Sequence, residues 1–299
     1  MSTNVLVELS NALADAAAKA GASTVLVNAR QRMPASGIAI QADLILAADH
    51  TIEREEDITV MLPDRTELAA RLAGRDPGSD LAILRLEKPA ATPAEPVKDE
   101  IRVGQIVLAV GRPAPEGIQA SLGVISAIVG PVHTGSGGVL ERYIRTDTTP
   151  FPGFSGGPLV DSSGRVVGLN TSGFGHGAAI TIPADLAWKT AETLIAHGHI
   201  QRGYLGIRSQ AVVIPAASQK ALGRSHPTGL LLVGVESDSP AGKDGLMVGD
   251  ILVGIAGQAV FDHEQLMAQL NGPVVGQPTQ IEVLRGGQPV TLNVTVGER

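Results

Sequence analysis

PFPGFSGGPLV, residues 150–160, is the stretch on which the fold turns. Ser155 stands among Gly153, Gly156 and Gly157, so no neighbouring side chains crowd its hydroxyl. Glycine also admits left-handed backbone and lets main-chain N–H groups face an incoming carbonyl oxygen. A loop of this kind can build an oxyanion hole, with the N–H groups of Gly153 and Ser155 as the two donors. Phe154, between them, is expected to contribute only its backbone geometry.

Pro150 and Pro152 precede the serine, and Gly157, Pro158 and LVDSSGRVVGL after it read as strand, turn, strand. Gly-x-Ser-x-Gly also marks the nucleophile elbow of α/β-hydrolases, which needs a strand before the serine and a helix after it. That local pattern is missing here. Chain order excludes the elbow as well, because its base and acid follow the serine, whereas a chymotrypsin-like site takes histidine, then aspartate, then serine. Upstream, His50 follows the strand-like run LILAA and Asp49. An imidazole, with a reference pKa of ~6.5, suits the task of taking the Ser155 proton and returning it to a leaving amine. Asp80 immediately precedes LAILRL in the segment RDPGSDLAILRL. A carboxylate at the edge of a buried strand can orient the imidazole and stabilise its charged form. Taken singly, His50 reads as an ordinary strand-end histidine and Asp80 as a turn former after Asp76-Pro77-Gly78-Ser79. Together, in this order, they read with Ser155 as a catalytic triad.

Around these residues the chain is mainly β. Short runs separated by turn signals recur at Thr24–Asn28, Gly37–Ala42, Leu44–Ala47, Asp57–Leu62, Glu67–Gly74, Leu81–Leu86, Ile106–Val110 and Gly117–Val129, the cadence of a barrel or sandwich. One short helix, Leu6–Ala20, comes first. Glu87–Glu100 carries Pro89, Pro93 and Pro96, which lack ladder donors, so the segment reads as a connection between two barrels. A second set of strands lies near Arg142–Thr146, Leu159–Val160, Arg165–Asn170 and Ala178–Ile182, before Pro183 and a helix Ala184–His197. From Arg202 a Gly-rich β pattern returns, with strands at Gly203–Ile207, Gly229–Val235, Asp250–Ile255, Gln280–Leu284 and Val290–Val296 and a helix at Asp262–Leu270. Two domains are expected, joined by a linker at Gly198–Arg202.

Composition narrows the function. With 36 Gly, 19 Pro and only 2% aromatics, the cores must be filled by aliphatic side chains, and a stacking platform for nucleic acid is excluded. A net charge of −7 with no basic run gives no footprint for DNA, RNA or anionic lipid. Cysteine is absent, so disulfides, thiolate zinc sites and cysteine nucleophiles are excluded. His197 and His199 have no third ligand at metal spacing and read as a solvated linker, while His133, His176, His226 and His263 lie in Gly-rich or helix-end contexts. No metal and no cofactor is expected. No stretch is long and apolar enough for a transmembrane helix, and the first twenty residues lack a basic and apolar export pattern. The expected compartment is the cytoplasm, or the periplasm or another extracytoplasmic space if the sequence is a trimmed form.

With these residues assembled, the chain resembles the HtrA/Deg family of trypsin-fold serine proteases, which join a protease domain to PDZ domains. DPGSDLAILRL, VGQIVLAVGRP, SLGVISAI, IRTDTTPFPGFSGGPLVDSSGRVVGLNTSG, ITIPADLA and RGYLGI fall in family order. The resemblance implies a chymotrypsin-like double β-barrel, two six-stranded barrels after a short helix over residues 1–200, followed by a PDZ domain over 203–299. It implies His50, Asp80 and Ser155 as the triad and Thr171 as a hydroxyl supporting the aspartate. The strand Asn170 to Gly173, including Ser172, should pair with substrate backbone, and the pocket for the residue before the scissile bond should be lined by Thr149, Pro150, Ile180 and Thr181. None is a carboxylate, so cleavage after small or medium aliphatic residues is expected. In the second domain, Tyr204-Leu205-Gly206-Ile207 should receive a peptide C-terminus, with His263, Leu266 and Met267 facing it. The family further implies unfolded or misfolded polypeptides as substrates, a role in protein quality control, and a homotrimer.

Two departures stand out. The family usually has Asn where Phe154 stands, and Thr-Asn-x-His where this chain has Leu46-Ala47-Ala48-Asp49-His50. A competing function is therefore a catalytically weak or inactive scaffold that binds peptides through its PDZ domain.

Overall fold

A strand buried on both faces has to be apolar at every position, and LILAA (Leu44–Ala48) and LAILRL (Leu81–Leu86) are the two segments nearest to that pattern. In the computed structural model they lie side by side and antiparallel, with Ala48 opposite Leu81. Alternate residues enter different cores. Ile45, Ala47, Ala82 and Leu84 fill the inside of a barrel. Leu44, Leu46, Ala48, Leu81 and Ile83 face a second core shared with Ala16 and Ala20 of the first helix and Ala187, Ala191 and Leu194 of the second. Fully buried leucines at such sites contribute roughly 1.5–3 kcal/mol each. The structure describes residues 4–31, 33–133, 139–174, 180–200, 202–270 and 274–298.

The chain divides into two compact units, Met1–Ile200 and Gln201–Arg299. The first opens with α1 (Val5–Ser23), N-capped by the Asn4 side chain. Six strands, β1 (Thr24–Asn28), β2 (Ala35–Gln41), β3 (Leu44–Ala48), β4 (Ile58–Met61), β5 (Glu67–Asp76) and β6 (Leu81–Leu86), then close a barrel in the order β1-β2-β3-β6-β5-β4. After the proline-bearing connection come β7 (Ile106–Ala114), β8 (Gly117–Val129), the short pair β9 (Val132–His133) and β10 (Val139–Leu140), then β11 (Tyr143–Thr146), β12 (Pro158–Val160), β13 (Val166–Thr171) and β14 (Ile180–Pro183). These make a second closed barrel in the order β11-β14-β13-β12-β7-β8, leaving β9 and β10 as a separate pair. Its interior is filled by Val107, Ala109, Ile125, Ile144, Leu159 and Val167, together with Phe154. The unit ends with α2 (Ala184–His197), closed by Gly198 at φ +80. Pro183 is its N-cap residue as well as the last residue of β14, where a missing N–H costs little. The expected strand Ala178–Ile182 starts at Ile180, and its residues 178 and 179 lie outside the described residues, as do His176 and Gln201 of the linker.

The second unit holds β15 (Gly203–Tyr204), β16 (Ile207–Val213), α3 (Ala216–Ala221), β17 (Thr228–Val235), α4 (Pro240–Lys243), β18 (Ile251–Ile255), β19 (Gln258–Ala259), α5 (His263–Leu270), β20 (Pro278–Arg285), β21 (Gln288–Thr295) and β22 (Gly297–Glu298). Its main sheet runs β16-β17-β18-β20-β21, so β16 is an edge strand. Gly203–Ile207, expected as one strand, is broken at Leu205-Gly206, where Gly206 adopts φ +76. The strand that follows, IRSQAVV, was not legible because apolar and polar residues do not alternate along it: Arg208, Ser209 and Gln210 are consecutive. The short helix α3 also escaped the sequence pattern, being too brief to show a helical period.

Candidate active site

His50 and Asp80 come together because of the β3–β6 pairing. His50 lies just past the end of β3, in a 3-10 turn Asp49–Thr51, and Asp80 just before β6, so antiparallel register sets them at one end of the barrel. The turn before Asp80 is held by Asp76, whose carboxylate accepts from the Gly78 and Ser79 amides at 3.1 and 3.0 Å and from the Ser79 hydroxyl at 2.5 Å. Asp80 itself has φ +55, a left-handed conformation that aspartate tolerates better than most residues.

The Asp80 carboxylate is buried, 4% exposed, and both its oxygens are occupied. Oδ1 accepts from the His50 backbone amide at 2.8 Å. The ring nitrogen Nδ1 of His50 lies 3.0 Å from Oδ1 and 2.8 Å from Oδ2. The Thr171 hydroxyl donates to Oδ2, and accepts in turn from the Gly173 amide at 2.9 Å. An ionised carboxylate has only acceptors to offer, so Nδ1 carries the proton and Nε2 is left as the basic nitrogen. Gly173 is the tight point: a Cβ there would sit 2.4 Å from Asp80 Oδ2 and 2.7 Å from His50 Nδ1.

Asp49, also buried, is the neighbour that sequence reasoning left without a partner. Burial pushes its carboxyl above the usual carboxylate range, with Asp80 and Asp76 adding to the effect and the Arg75 guanidinium opposing it. Arg75 Nε donates to Asp49 Oδ1 at 2.7 Å, Nη1 to Glu55 at 3.2 Å and Nη2 to the Ile52 carbonyl at 3.4 Å, which braces the His50 turn from outside. No motif announces Arg75. Strand β5 alone brings it there.

Ser155 sits in the loop between β11 and β12, pressed against the first barrel. Ser36 of β2 donates its amide to the Ser155 carbonyl at 3.1 Å and its hydroxyl to the Gly153 carbonyl at 2.7 Å. Gly153 and Gly156 have φ +84 and +85, and a Cβ at Gly156 would lie 2.1 Å from the Ser36 carbonyl oxygen. The glycines therefore answer a steric demand as well as a chemical one. The Ser155 hydroxyl is 3.1 Å from that of Ser172. Among the described residues no hydrogen bond joins it to His50, although both line one cleft of about 450 Å³ with Met33, Phe151, Asn170 and Thr171.

Of the residues expected to contact substrate, Pro150, Asn170, Thr171 and Ser172 border this cleft. Thr149, Ile180 and Thr181 are not among the residues that line it. Ile180 belongs to the inter-barrel core, and Thr181, 2% exposed, lies across the sheet from Asn170 and donates to Asn170 Oδ1 at 2.8 Å. Thr149 instead donates its amide to Ser121. The side chain of Phe154, of which only backbone geometry was expected, is 2% exposed and packed in the second barrel.

In the second unit, Leu205 is buried, Tyr204 bonds the Glu236 carboxylate through its hydroxyl, and the Gly206 carbonyl accepts from the Glu236 amide at 2.9 Å. Ile207 begins the edge strand β16. His263 presents Nε2 to the Ser209 hydroxyl and carbonyl at 2.9 and 3.1 Å, linking α5 to β16. Leu266, 1% exposed, belongs to the module's core, and Met267 is partly buried against it. Among the described residues no three His, Cys, Asp or Glu side chains are grouped to hold a metal ion. No described helix is long and apolar enough to cross a membrane.

Comparison with known proteins accounts for both units. Residues 35–169 match the family model of a trypsin-like peptidase domain and residues 203–296 that of a PDZ domain. A probable periplasmic serine endoprotease DegP-like from Ectopseudomonas mendocina is 36% identical over 269 residues, which is 88% of this chain and 56% of that protein. A protein of the same description from Halomonas elongata is 34% identical, over 90% of this chain and 57% of its own length. The chain thus spans little more than half the length of these curated relatives. Among solved structures, the HtrA-type protease AlgW with decapeptide superposes with a TM-score of 0.77 at 31% identity, covering 96% of this chain and 98% of that one. A serine endoprotease from Yersinia pestis superposes with a TM-score of 0.77 at 28% identity, over 96% and 98% of the two chains.

Proposed function

Because this chain belongs to the HtrA/Deg family of serine proteases, we propose that it is a serine endopeptidase in which Ser155, His50 and Asp80 are the catalytic residues. The observation that carries this reading is the arrangement of His50: Asp80 engages its Nδ1, and the remaining nitrogen belongs to a ring that shares a cleft with Ser155. Nε2 takes the proton as Ser155 Oγ attacks the scissile carbonyl carbon. The amides of Gly153 and Ser155 stabilise the resulting oxyanion, and the imidazolium then returns the proton to the leaving amine. Water, deprotonated by the same nitrogen, hydrolyses the acyl-enzyme. The Ser155 hydroxyl reaches His50 by leaving its contact with Ser172, a rearrangement of the kind often seen as apo sites tighten around substrate.

The finer features of the reading are these. Extended, unfolded polypeptides are the substrates, since they can lie along Asn170 to Gly173 as an added strand. The residue before the cleaved bond is small or medium aliphatic, because among the described residues no carboxylate lines the cleft to pair with a basic side chain. The PDZ module takes peptide C-termini on the loop Tyr204–Ile207 and the edge of β16, the assembly is a homotrimer, and the compartment is the periplasm, as the names of the relatives suggest. The Ser155–Ser172 contact is also what favours the competing function, a PDZ-bearing scaffold with a silent protease domain.

A fluorophosphonate probe separates the two. Labelling of the full chain, abolished in Ser155→Ala, supports the protease. No labelling at any pH between about 6 and 9 supports the scaffold.

A further inference from the structure

We propose that the side chain of Phe154, seated over Gly111 in the second barrel, is the positioning element that aims the Ser155 amide of the oxyanion hole before substrate arrives. The inference rests on the protease reading and names how this chain presets the site without the family's usual Asn at that position.

The amide of Ser155 shares a planar peptide unit with the carbonyl of Phe154. That carbonyl accepts from Gly157 N–H at 2.8 Å, so the Ser155 N–H is aimed in the opposite direction. The preceding unit joins the Gly153 carbonyl to the Phe154 amide. Its carbonyl is held by the Ser36 hydroxyl at 2.7 Å and its amide by the Phe151 carbonyl at 3.1 Å. Two consecutive peptide planes are therefore fixed on either side of one α-carbon, and the side chain on that carbon decides whether they stay there. The Phe154 ring is 2% exposed, packs with Ile125, Ile144 and Leu159, and meets Phe151 edge to face at 5.4 Å and 72°.

The seat for this ring is β7. A Cβ at Gly111 would lie 2.5 Å from Phe154 Cδ1 and 3.0 Å from Cε1, so the ring needs a residue without one. The next two residues complete the seat. Arg112 donates its amide to the Ser36 hydroxyl at 2.8 Å, and Pro113 backs Gly153, where a Cβ would come within 2.6 Å of the proline Cβ. The Arg112 guanidinium, buried, donates to the carbonyls of Gly21 and Thr24 at the end of α1 at 2.9 and 2.7 Å, which ties the seat to the helix. A glycine-framed loop has little stiffness of its own. Here it takes its stiffness from a ring lodged in a barrel.

The test uses the full chain and the variants Phe154→Ala, Phe154→Leu, Gly111→Ala and the Gly111→Ala/Phe154→Leu pair. Four readouts are compared: kcat and KM on a peptide substrate, affinity for a peptidyl boronic acid, affinity for the matched peptide without boron, and amide exchange over residues 150–157. Thermal unfolding checks that each variant is folded. Phe154→Ala is expected to lower kcat and boronate affinity by about 10- to 100-fold, the scale of a misplaced oxyanion donor. KM and matched-peptide affinity change by less than about 3-fold, because ground-state binding does not use that amide. Exchange at 153–157 rises. Phe154→Leu loses less, Gly111→Ala loses activity with the ring still present, and the double variant is better than the two single losses combined, as coupled neighbours require. Unchanged kcat and boronate affinity in a folded Phe154→Ala overturn the proposal, as does equal loss of boronate and matched-peptide affinity. If Phe154→Ala does not fold, the leucine and Gly111 variants decide on the same readouts. If the unsubstituted chain neither labels nor hydrolyses peptide, the protease reading fails by itself. The exchange data then decide the positioning claim, unchanged exchange overturning it and raised exchange supporting it.

Discussion

One carboxylate holds His50 twice: Asp80 accepts from its backbone amide at 2.8 Å and faces its ring nitrogen Nδ1 at 2.8 Å. The histidine is thereby positioned in both main chain and side chain by a residue thirty positions away in sequence. Asp80→Asn should leave the chain folded but lower kcat by about 10⁴-fold, because an amide can donate and stabilises the wrong tautomer. Steady-state kinetics check this, and near-normal turnover would remove Asp80 from the catalytic set.

Thr171 supplies the remaining donor to that carboxylate. Thr171→Val keeps the shape and deletes the hydroxyl, leaving a buried oxygen one hydrogen bond short, a cost of about 1–3 kcal/mol. A drop of about 10-fold in kcat is expected, with recovery in Thr171→Ser. Equal activity of the valine and serine variants would argue against the role.

Gly173→Ala tests the closeness of the site to the β13 edge. The added Cβ would fall within 2.4 Å of Asp80 Oδ2, so the His50–Asp80 pair must shift. A displacement approaching an ångström costs about 10²-fold in rate. The rate of fluorophosphonate labelling reads this directly, and an unaltered rate would show that the pair has room to spare.

Arg75→Met should destabilise the first unit by about 1–3 kcal/mol, since Asp49 is left buried without its guanidinium. The pH dependence has a definite sign. Burial raises the Asp49 carboxyl, so ionising it within the fold is unfavourable, and stability falls as pH rises through the raised value. Arg75 offsets that loss, and the deficit of the variant should therefore be small near pH 4 and full at pH 7 and above. Urea midpoints at the two pH values provide the check, and a pH-independent deficit would contradict it.

His226 gives the second unit an opposite dependence. It is fully buried, stacks on Phe261 at 4.3 Å, and presents Nε2 to the Val260 carbonyl at 3.0 Å, so burial pushes its pKa down. The unfolded chain binds the proton more readily. Stability from the neutral ring is present above ~6.5 and lost as pH falls toward the lowered value. Calorimetry of the full chain should show the melting of this unit drop below that pH, with a flatter slope in His226→Phe. Identical slopes would assign the effect elsewhere.

The β elements around the site were legible because their residues carry their own evidence. Leu81–Leu86 and Ala184–His197 were read with the bounds the structure has, the first from an apolar run interrupted only by Arg85 and the second from a helix start after Pro183. The strand Ile207–Val213 was not, since three consecutive polar residues, Arg208 to Gln210, break any period-2 pattern in it.

By itself the sequence determined the mainly β, two-part character of this chain and the three residues of its proposed triad, because periodicity, glycine placement and chain order are local or ordinal properties. Only the tertiary structure decided that Arg75 braces Asp49, that Ser36 holds the Gly153 carbonyl, and that Phe154 lodges over Gly111. Each of those relationships joins residues from different strands, and which side chains meet across a barrel depends on strand register and closure, which no single stretch of sequence contains.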